Sequence, residues 1–106
     1  MVKFDQFKAI DIRIAKIVSA EDHPNADRLY VVTVDIGGAT KKVVAGIKKF
    51  YTKEELVDKL VVVVTNLEPA TIRGVLSEGM ILAAKDNEKL TVLTPEKEAS
   101  VGSAVS

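Results

Sequence analysis

The stretch IDIRIAKIVSAEDHPNADRLYVVTVDIGG, residues 10 to 38, decides the fold because it reads as two long β-strands separated by one turn. Its first part alternates isoleucine with polar residues, which is the period-two pattern of a half-buried strand. The alternation slips before Ile17, and this slip predicts a β-bulge near Ala15 that bends the strand around a small barrel. The second part, residues 29 to 36, shows the same alternation and ends at two glycines.

The turn between these strands contains the only histidine of the chain. Pro24 fixes its own φ and favours an extended His23, while Asn25 and Asp27 are able to bond nearby backbone amides. We therefore predict that His23 is a turn residue and not a catalytic base. A metal site made by His23 with Asp22 and Asp27 is the alternative, although no ligand spacing favours a particular metal.

The rest of the chain consists of short Val- and Ile-rich runs broken by turn residues, as in other β proteins. A capping box at Thr52 and Glu55 predicts one short helix. Residues 60 to 64, LVVVV, are apolar at both parities, which predicts a strand covered on both faces. Further strands are predicted over residues 41 to 47, 77 to 85 and 88 to 95, the last two joined at Asp86 and Asn87.

This order of elements predicts an all-β fold, namely a five-stranded OB-fold Greek-key barrel with one short helix and a C-terminal extension. An SH3-like barrel is the alternative architecture. At 106 residues we expect a single domain, residues 1 to 106, whose core covers about residues 10 to 94. We expect the extension, residues 95 to 106, to lie at a dimer interface.

The composition argues against several classes of protein. Without cysteine the chain has no disulfide framework and no thiolate nucleophile. No nucleophile elbow, zinc-protease motif or phosphate-binding glycine loop occurs, so we predict that the chain is not an enzyme and uses no cofactor or metal. Its apolar runs are too short to cross a membrane and no signal pattern precedes them, which predicts a cytoplasmic protein.

Lysines around the third strand form the first candidate binding segment. The formal net charge is zero, so any cationic surface must be local. Lys41 and Lys42, together with Lys48 and Lys49, flank a strand that belongs to the ligand-facing side of an OB barrel. We therefore expect Lys41 and Lys42 to contact the ligand.

The second candidate segment is NLEPATIRGVLSEGMILA, residues 66 to 83. Here proline and glycine, which restrict or redirect the backbone, alternate with polar residues, namely Asn66, Arg73 and Ser77. The segment runs into a strand around Met80 that is apolar on both sides, so one of its faces needs a partner.

Three motifs of the chain together resemble the tRNA-binding domains of aminoacyl-tRNA synthetase systems. They are DIRIAKIVSAEDHPNADRLYVVTVDIG at residues 11 to 37, VVAG at 43 to 46 and VVVVTNLEPATIRGVLSEGMILAA at 61 to 84. The chain is most similar to the C-terminal domain or separate β subunit of methionyl-tRNA synthetase and to small dimeric structure-specific tRNA-binding proteins. The resemblance covers residues 4 to about 105, and the order of the three motifs makes it specific.

This resemblance implies an OB barrel that binds tRNA by its shape and has no catalytic activity. It also implies a homodimer that serves as an auxiliary domain or β subunit of methionyl-tRNA synthetase, with the synthetase catalytic subunit as a further partner. The alternative is an export-related chaperone of the same fold that binds peptides in an apolar groove.

The resemblance also implies which residues face the RNA. By position they are Asn66, Arg73, Ser77 and Met80, with Arg13 and Lys16 on the neighbouring strand. Glu68 and Thr71 stand where the family often has basic residues, so we expect weak, auxiliary binding.

Overall fold

Strand β1 (Ile12–Asp22) organises the fold, which a computed structural model describes for all 106 residues. The second half of β1 pairs antiparallel with β2 (Tyr30–Asp35), and its first half pairs antiparallel with β4 (Leu60–Val64). On the outer sides of these two strands lie β3 (Thr40–Ala45) and β7 (Met80–Ile81). The result is one five-stranded antiparallel sheet in the order β3-β2-β1-β4-β7.

The two outer ends of this sheet curl towards each other. The Val44 amide donates a 2.9 Å hydrogen bond to the Ser77 hydroxyl at the end of strand β6 (Val75–Ser77). One residue further on, the Glu78 amide donates to the Lys42 carbonyl at 2.8 Å. These bonds join β3 to the segment before β7 and nearly close the sheet, which confirms the predicted all-β, five-stranded OB-like barrel.

The core fills the barrel with the alternating residues that the sequence pattern predicts. Val32 and Val34 of β2 and Ile36 just after it are buried, and the residues between them are only partly buried. All four residues of 61 to 64 are buried, so both faces of β4 are covered, as predicted. Because this burial is complete in a single chain, β4 needs no second subunit to cover it.

The β-bulge lies at Val18, and the prediction of a bulge near Ala15 is wrong. The pairing of β1 with β2 shifts by one residue between Ile17 and Ser19, whereas Ala15 pairs regularly with β4. The apolar slip in the sequence has another cause, because Ile14 and Ala15 are both buried on opposite faces of the strand. A strand buried on two sides loses its alternation without any bulge.

The predicted short helix is present as α2 (Lys53–Leu56). Its capping box is formed as expected, since Thr52 Oγ1 accepts from the Glu55 amide at 3.2 Å and the Glu55 carboxylate accepts from the Thr52 amide at 2.8 Å. The expectation of one helix is wrong, however, because a second helix, α1 (Phe4–Lys8), precedes β1. All its residues are exposed, and its only apolar pair at helical spacing, Phe4 and Phe7, is too short a pattern to predict a helix. Neither helix has the length and apolar character of a membrane span.

A hairpin replaces the loop expected after β4. Strand β5 (Ala70–Ile72) pairs with β6 through a two-residue turn in which Arg73 and Gly74 have φ values of 52° and 92°. Two consecutive positive φ angles are typical of a tight hairpin turn, which usually contains Asn-Gly or Asp-Gly. The Arg-Gly pair is less typical, so the sequence did not predict this turn. Each strand has only three residues, which makes the hairpin dependent on contacts with the barrel.

The strand predicted over residues 77 to 85 is interrupted at residues 78, 79 and 82, and only its last part forms a hairpin with the strand predicted over residues 88 to 95. Strand β8 (Ala83–Asp86) pairs with β9 (Lys89–Val92), and Asn87 turns the chain at φ 54°, as the Asp86-Asn87 pair predicts. The C-terminal extension then runs beside the first half of β1, where β2 has ended. There the Ile14 amide donates to the Ser103 carbonyl at 2.9 Å and the Val105 amide to the Ile12 carbonyl at 2.8 Å.

The closure of the barrel leaves no space for a side chain at Gly79. A Cβ atom there would lie 2.8 Å from the Val64 carbonyl oxygen, whereas a Cβ at Gly46 would meet only Leu29 at an ordinary 3.6 Å. We expect Gly79→Ala to lower the free energy of unfolding by about 1–3 kcal/mol, as overpacking does. Gly46→Ala is the matched control and should be neutral or slightly stabilising. Urea unfolding of both variants measures this, and equal stabilities would show that the closure is loose.

Candidate nucleic-acid interface

His23 is a structural link between the HPNAD turn, residues 23 to 27, and the β5–β6 hairpin. Its ring is buried, with 5% of the residue exposed, and both nitrogens have partners. Nδ1 accepts from the Asn25 amide at 3.0 Å, and Nε2 lies 2.9 Å from the Ile72 carbonyl, to which it donates in the tautomer that satisfies both bonds. The prediction that His23 is a turn residue is confirmed, and its role extends to holding the hairpin.

The alternative of a metal site at this turn has no geometric support. The Asp22 carboxylate lies 3.2 Å from both Lys48 Nζ and Lys53 Nζ. Hydrogen bonding from Lys48, and then from Lys53, lowers the pKa of the Asp22 carboxyl below its ordinary value. No three histidine or acidic side chains converge anywhere in the chain.

Arg73 is fixed at the tip of the hairpin. Its guanidinium donates to the Asn25 carbonyl at 3.2 Å, and the Asn25 side-chain amide donates back to the Arg73 carbonyl at 3.0 Å. The residue is exposed and has no carboxylate within salt-bridge distance. Arg73 is therefore a positioned cation that forms no salt bridge within this chain.

The structure brings Arg13 and Lys41 together around Asp11. Arg13 Nε lies 2.9 Å from the Asp11 carboxylate, and the buried Thr65 hydroxyl donates to the same carboxylate. Lys41 Nζ donates to the Thr65 carbonyl at 2.8 Å. Hydrogen bonding from Thr65 lowers the pKa of Asp11, although burial opposes it, and Arg13 and Lys41 lower the pKa further. Of these two predicted RNA-binding cations, Arg13 is thus already paired with an acid of this chain, and Lys41 is bound to the Thr65 carbonyl.

Two other predicted contact residues have internal hydrogen bonds in place of free polar groups. The Asn66 oxygen accepts from the Asp11 amide and its nitrogen donates to the Ala9 carbonyl, both at 2.8 Å, which ties the N-terminal segment to the barrel. Ser77 is buried, and its hydroxyl accepts from Val44 and donates to the Gly79 carbonyl at 3.1 Å. Both side chains therefore stabilise the fold. The Ser77 hydroxyl is buried and already makes two internal hydrogen bonds, so it does not make the expected hydrogen bond to RNA.

The remaining predicted residues are accessible. Lys42 is exposed on β3 and lies within salt-bridge distance of no acid, whereas Lys16 Nζ is 3.5 Å from the exposed Asp58 carboxylate. Met80 is about half exposed and borders a groove of about 230 Å³. The other apolar residues of this groove come from β3 and from the segment after β4, namely Val44, Leu67, Ala70 and Ile72.

Arg28 is a further candidate that no sequence pattern indicated. This exposed arginine follows the HPNAD turn and, with Arg73 and residues 25 to 29, borders a groove of about 420 Å³. It has no ion-pair partner. In the sequence, only its place beside a turn marks this residue. Arg73, which borders the same groove, is far from it along the chain, so no local pattern indicates that the two arginines are neighbours.

Comparison with known proteins gives a consistent picture. A protein-family model described as "Putative tRNA binding domain" matches residues 12 to 104. The methionine–tRNA ligase of Pyrococcus furiosus is 56% identical over 104 residues, which are 98% of this chain and 14% of that protein. The methionine–tRNA ligase of Thermotoga maritima is 45% identical over 105 residues, 99% of this chain and 17% of that protein. The chain thus spans a small part of the length of these relatives.

Solved structures share the whole fold. The CsaA chaperone protein of Picrophilus torridus superposes with a TM-score of 0.92 at 28% identity, covering 100% of both chains. A methionyl-tRNA synthetase-related protein of Pyrococcus horikoshii superposes with a TM-score of 0.91 at 28% identity, covering 99% of this chain and 97% of that one.

The Asp11 network should make stability depend on pH. Thr65→Val removes the hydroxyl that bonds the Asp11 carboxylate and keeps the side-chain shape, and we expect it to cost about 1 kcal/mol near neutral pH. Since folding lowers the pKa of Asp11, the stabilisation is present above the unfolded-state pKa of about 3.9 and is lost as the pH falls through the folded-state value. The difference between wild type and Thr65→Val should therefore narrow below about pH 4 in urea unfolding.

Asp58→Asn supplies the control for this experiment. It breaks the exposed ion pair with Lys16, which should contribute little to stability at any pH. A Thr65→Val deficit that stays constant on acidification would mean that the hydroxyl acts through packing alone.

Proposed function

This chain belongs to the family of tRNA-binding domains, and we propose that it binds folded tRNA by shape as an auxiliary domain or β subunit of methionyl-tRNA synthetase. The observation that carries the proposal is a pair of exposed arginines, Arg28 and Arg73, that form no salt bridge and border one groove on a chain of zero net charge. In this proposal the chain has no catalytic activity and acts in the cytoplasm.

Binding would rest on neutralisation of phosphates. Lysine and arginine side chains that contact phosphates release counterions, which favours association without reading the base sequence. Arg73 suits this role because its backbone and guanidinium are both fixed against Asn25, so its position relative to the barrel is defined. Arg13 and Lys41 contribute less, since a phosphate must compete with the Asp11 carboxylate and the Thr65 carbonyl for them.

Weak binding by one domain is compatible with a role in a larger synthetase. If the domain is linked to the catalytic part, or bound to it, the tRNA held by one part is presented to the other at an effective concentration in the ~mM range. A domain of modest affinity then raises the tRNA affinity of the whole without trapping the product.

We further propose a homodimer, with its interface at α1 and the C-terminal extension. Phe4 and Phe7 are 70% and 40% exposed, and Ile10 is also exposed. They border a mainly apolar groove of about 280 Å³ whose far side is formed by residues 104 to 106. The occupant that fits is the same surface of a second copy, because two-fold pairing lets one apolar patch cover another. The apolar strand β4 offers no alternative pairing surface, since residues 61 to 64 are buried within one chain.

A second candidate function is peptide binding. The groove beside Met80 is largely apolar, and the chain superposes on the CsaA chaperone over its full length. Because this groove adjoins the hairpin that carries Arg73, an unfolded peptide that displaces tRNA would favour the chaperone-like function. Simultaneous binding of both would leave tRNA binding as the function supported.

A comparison of RNA shapes tests the main proposal. Folded tRNA should bind more tightly than an RNA duplex of equal length, and its affinity should fall with salt at a log–log slope on the order of −3 to −5, for about 3 to 5 phosphate contacts. Arg73→Gln should weaken tRNA binding about tenfold, as loss of a charge-assisted contact does. Lys97→Gln, an exposed change on the C-terminal extension, is the matched control. Equal binding of tRNA and duplex, or a flat salt response, contradicts the proposal.

Light scattering tests the dimer. The wild-type chain should have twice its monomer mass of 11.5 kDa at micromolar concentration. Phe4→Glu places a charge in the proposed interface and should give the monomer. Val18→Glu is the control, because Val18 is 49% exposed at the bulge and outside the α1 groove. A wild-type monomer, or a dimer insensitive to Phe4→Glu, would exclude this interface.

A further inference from the structure

A second groove adjoins the one beside Arg73. It has a volume of about 480 Å³ and is bordered by Arg28, Lys49 and Lys85 around the half-buried ring of Phe50. Arg28 borders both grooves, so the two grooves adjoin at this residue. The cations come from three separate places in the sequence, namely the HPNAD turn, the loop after β3 and strand β8.

The charges of this second groove are not balanced. Arg28, Lys49 and Lys85 are exposed and take part in no salt bridge. The neighbouring Lys48 is different, because it pairs with Asp22 at 3.2 Å. The only acid that borders the groove is Glu88, so three cations face one anion in a molecule whose total formal charge is zero.

The groove also presents an aromatic ring among these charges. The Phe50 amide donates to the Ile47 carbonyl at 2.9 Å in a tight turn, which fixes the backbone that carries the ring. Gly46 forms part of the lining and has no side chain to fill the space. A flat hydrophobic surface flanked by cations is the combination by which proteins bind single-stranded nucleic acids, since bases stack on the ring while phosphates meet the charges.

We infer that this groove binds an unpaired nucleotide segment of RNA, with one base stacked on Phe50 and the adjacent phosphates neutralised by Arg28, Lys49 and Lys85. The inference rests on the proposed function and adds to it a contact made only by a single-stranded part of the folded RNA. A duplex does not make this contact, because its bases are stacked on one another and are not free to stack on Phe50. An acidic peptide would satisfy the charges but would leave the aromatic ring without a stacking partner.

Fluorescence anisotropy of labelled RNA tests the groove in the full chain. The probes are a short single-stranded RNA, the same strand annealed to its complement, and folded tRNA. Phe50→Leu keeps an apolar side chain and should weaken single-strand binding at least about fivefold, the lower end of one base–aromatic stack. It should leave the salt slope unchanged.

The lysines have a different expected signature. Lys49→Gln and Lys85→Gln should each reduce the log–log salt slope for single-stranded RNA by about 0.7, the value for one released ion. Lys97→Gln makes the same change of net charge away from the groove and should leave the slope unaltered. Urea unfolding of each variant verifies that the fold is intact, which is expected because both groove lysines are exposed.

The outcomes separate this inference from the proposed function. The inference is overturned if the groove variants bind single-stranded RNA as tightly as the wild type, or lose no more affinity than Lys97→Gln. In that case, tRNA binding that depends on Arg73 still supports the proposed function. If single-stranded RNA binds in a Phe50-dependent way and tRNA does not bind, the result supports the inference about the groove and contradicts the proposed function. A preference for the duplex, or equal competition by a poly-glutamate peptide, overturns the inference.

Discussion

The β5–β6 hairpin and everything it carries depend on a few hydrogen bonds between side chains and backbone. Two strands of three residues are too short to be stable alone. His23 and Asn25 hold the turn end of the hairpin through the carbonyls of residues 72 and 73, and Ser77 holds the other end against β3. The bonds of His23 and Ser77 are partly buried, so loss of either partner leaves a polar group unsatisfied, whereas the bond from Asn25 is exposed to solvent. Arg73 has a defined position only because these bonds are made.

The same chain shows why zero net charge is a poor guide to what a protein binds. Several cations have acidic partners close by, since Arg13 lies beside Asp11 and two lysines share the carboxylate of Asp22. Other cations form no salt bridge, and four of these, namely Arg28, Lys49, Arg73 and Lys85, border two adjoining grooves that share Arg28. The net charge is a sum over all charged residues, whereas the local electrostatic field depends on where the cations without acidic partners lie. A neutral total also limits indiscriminate attraction to nucleic acid.

The sequence predicted the barrel well because strands and turns are marked by local patterns. Alternation in β2, the capping box at Thr52 and the turn at Asn87 each depend on residues that are neighbours in the chain. It failed where two different structures share one pattern. The apolar slip near Ala15 fits a bulge and also fits a strand buried on both faces, and only the packing of the whole chain distinguishes them.

The candidate site was harder to predict for a related reason. A polar residue in a rigid loop has the same appearance in the sequence whether its side chain faces solvent or the protein's own backbone, and Ser77 proved to be of the second kind. Resemblance to a family transfers a position but not the hydrogen bonds made there. The groove around Phe50 carried no signal at all, because the folded topology alone brings its three cations together. The chain ends show one more effect of topology, since α1 and residues 104 to 106 border a single groove. A domain fused to either end would leave the barrel from the same side, so in the proposed homodimer the four chain ends would lie close to the two-fold axis.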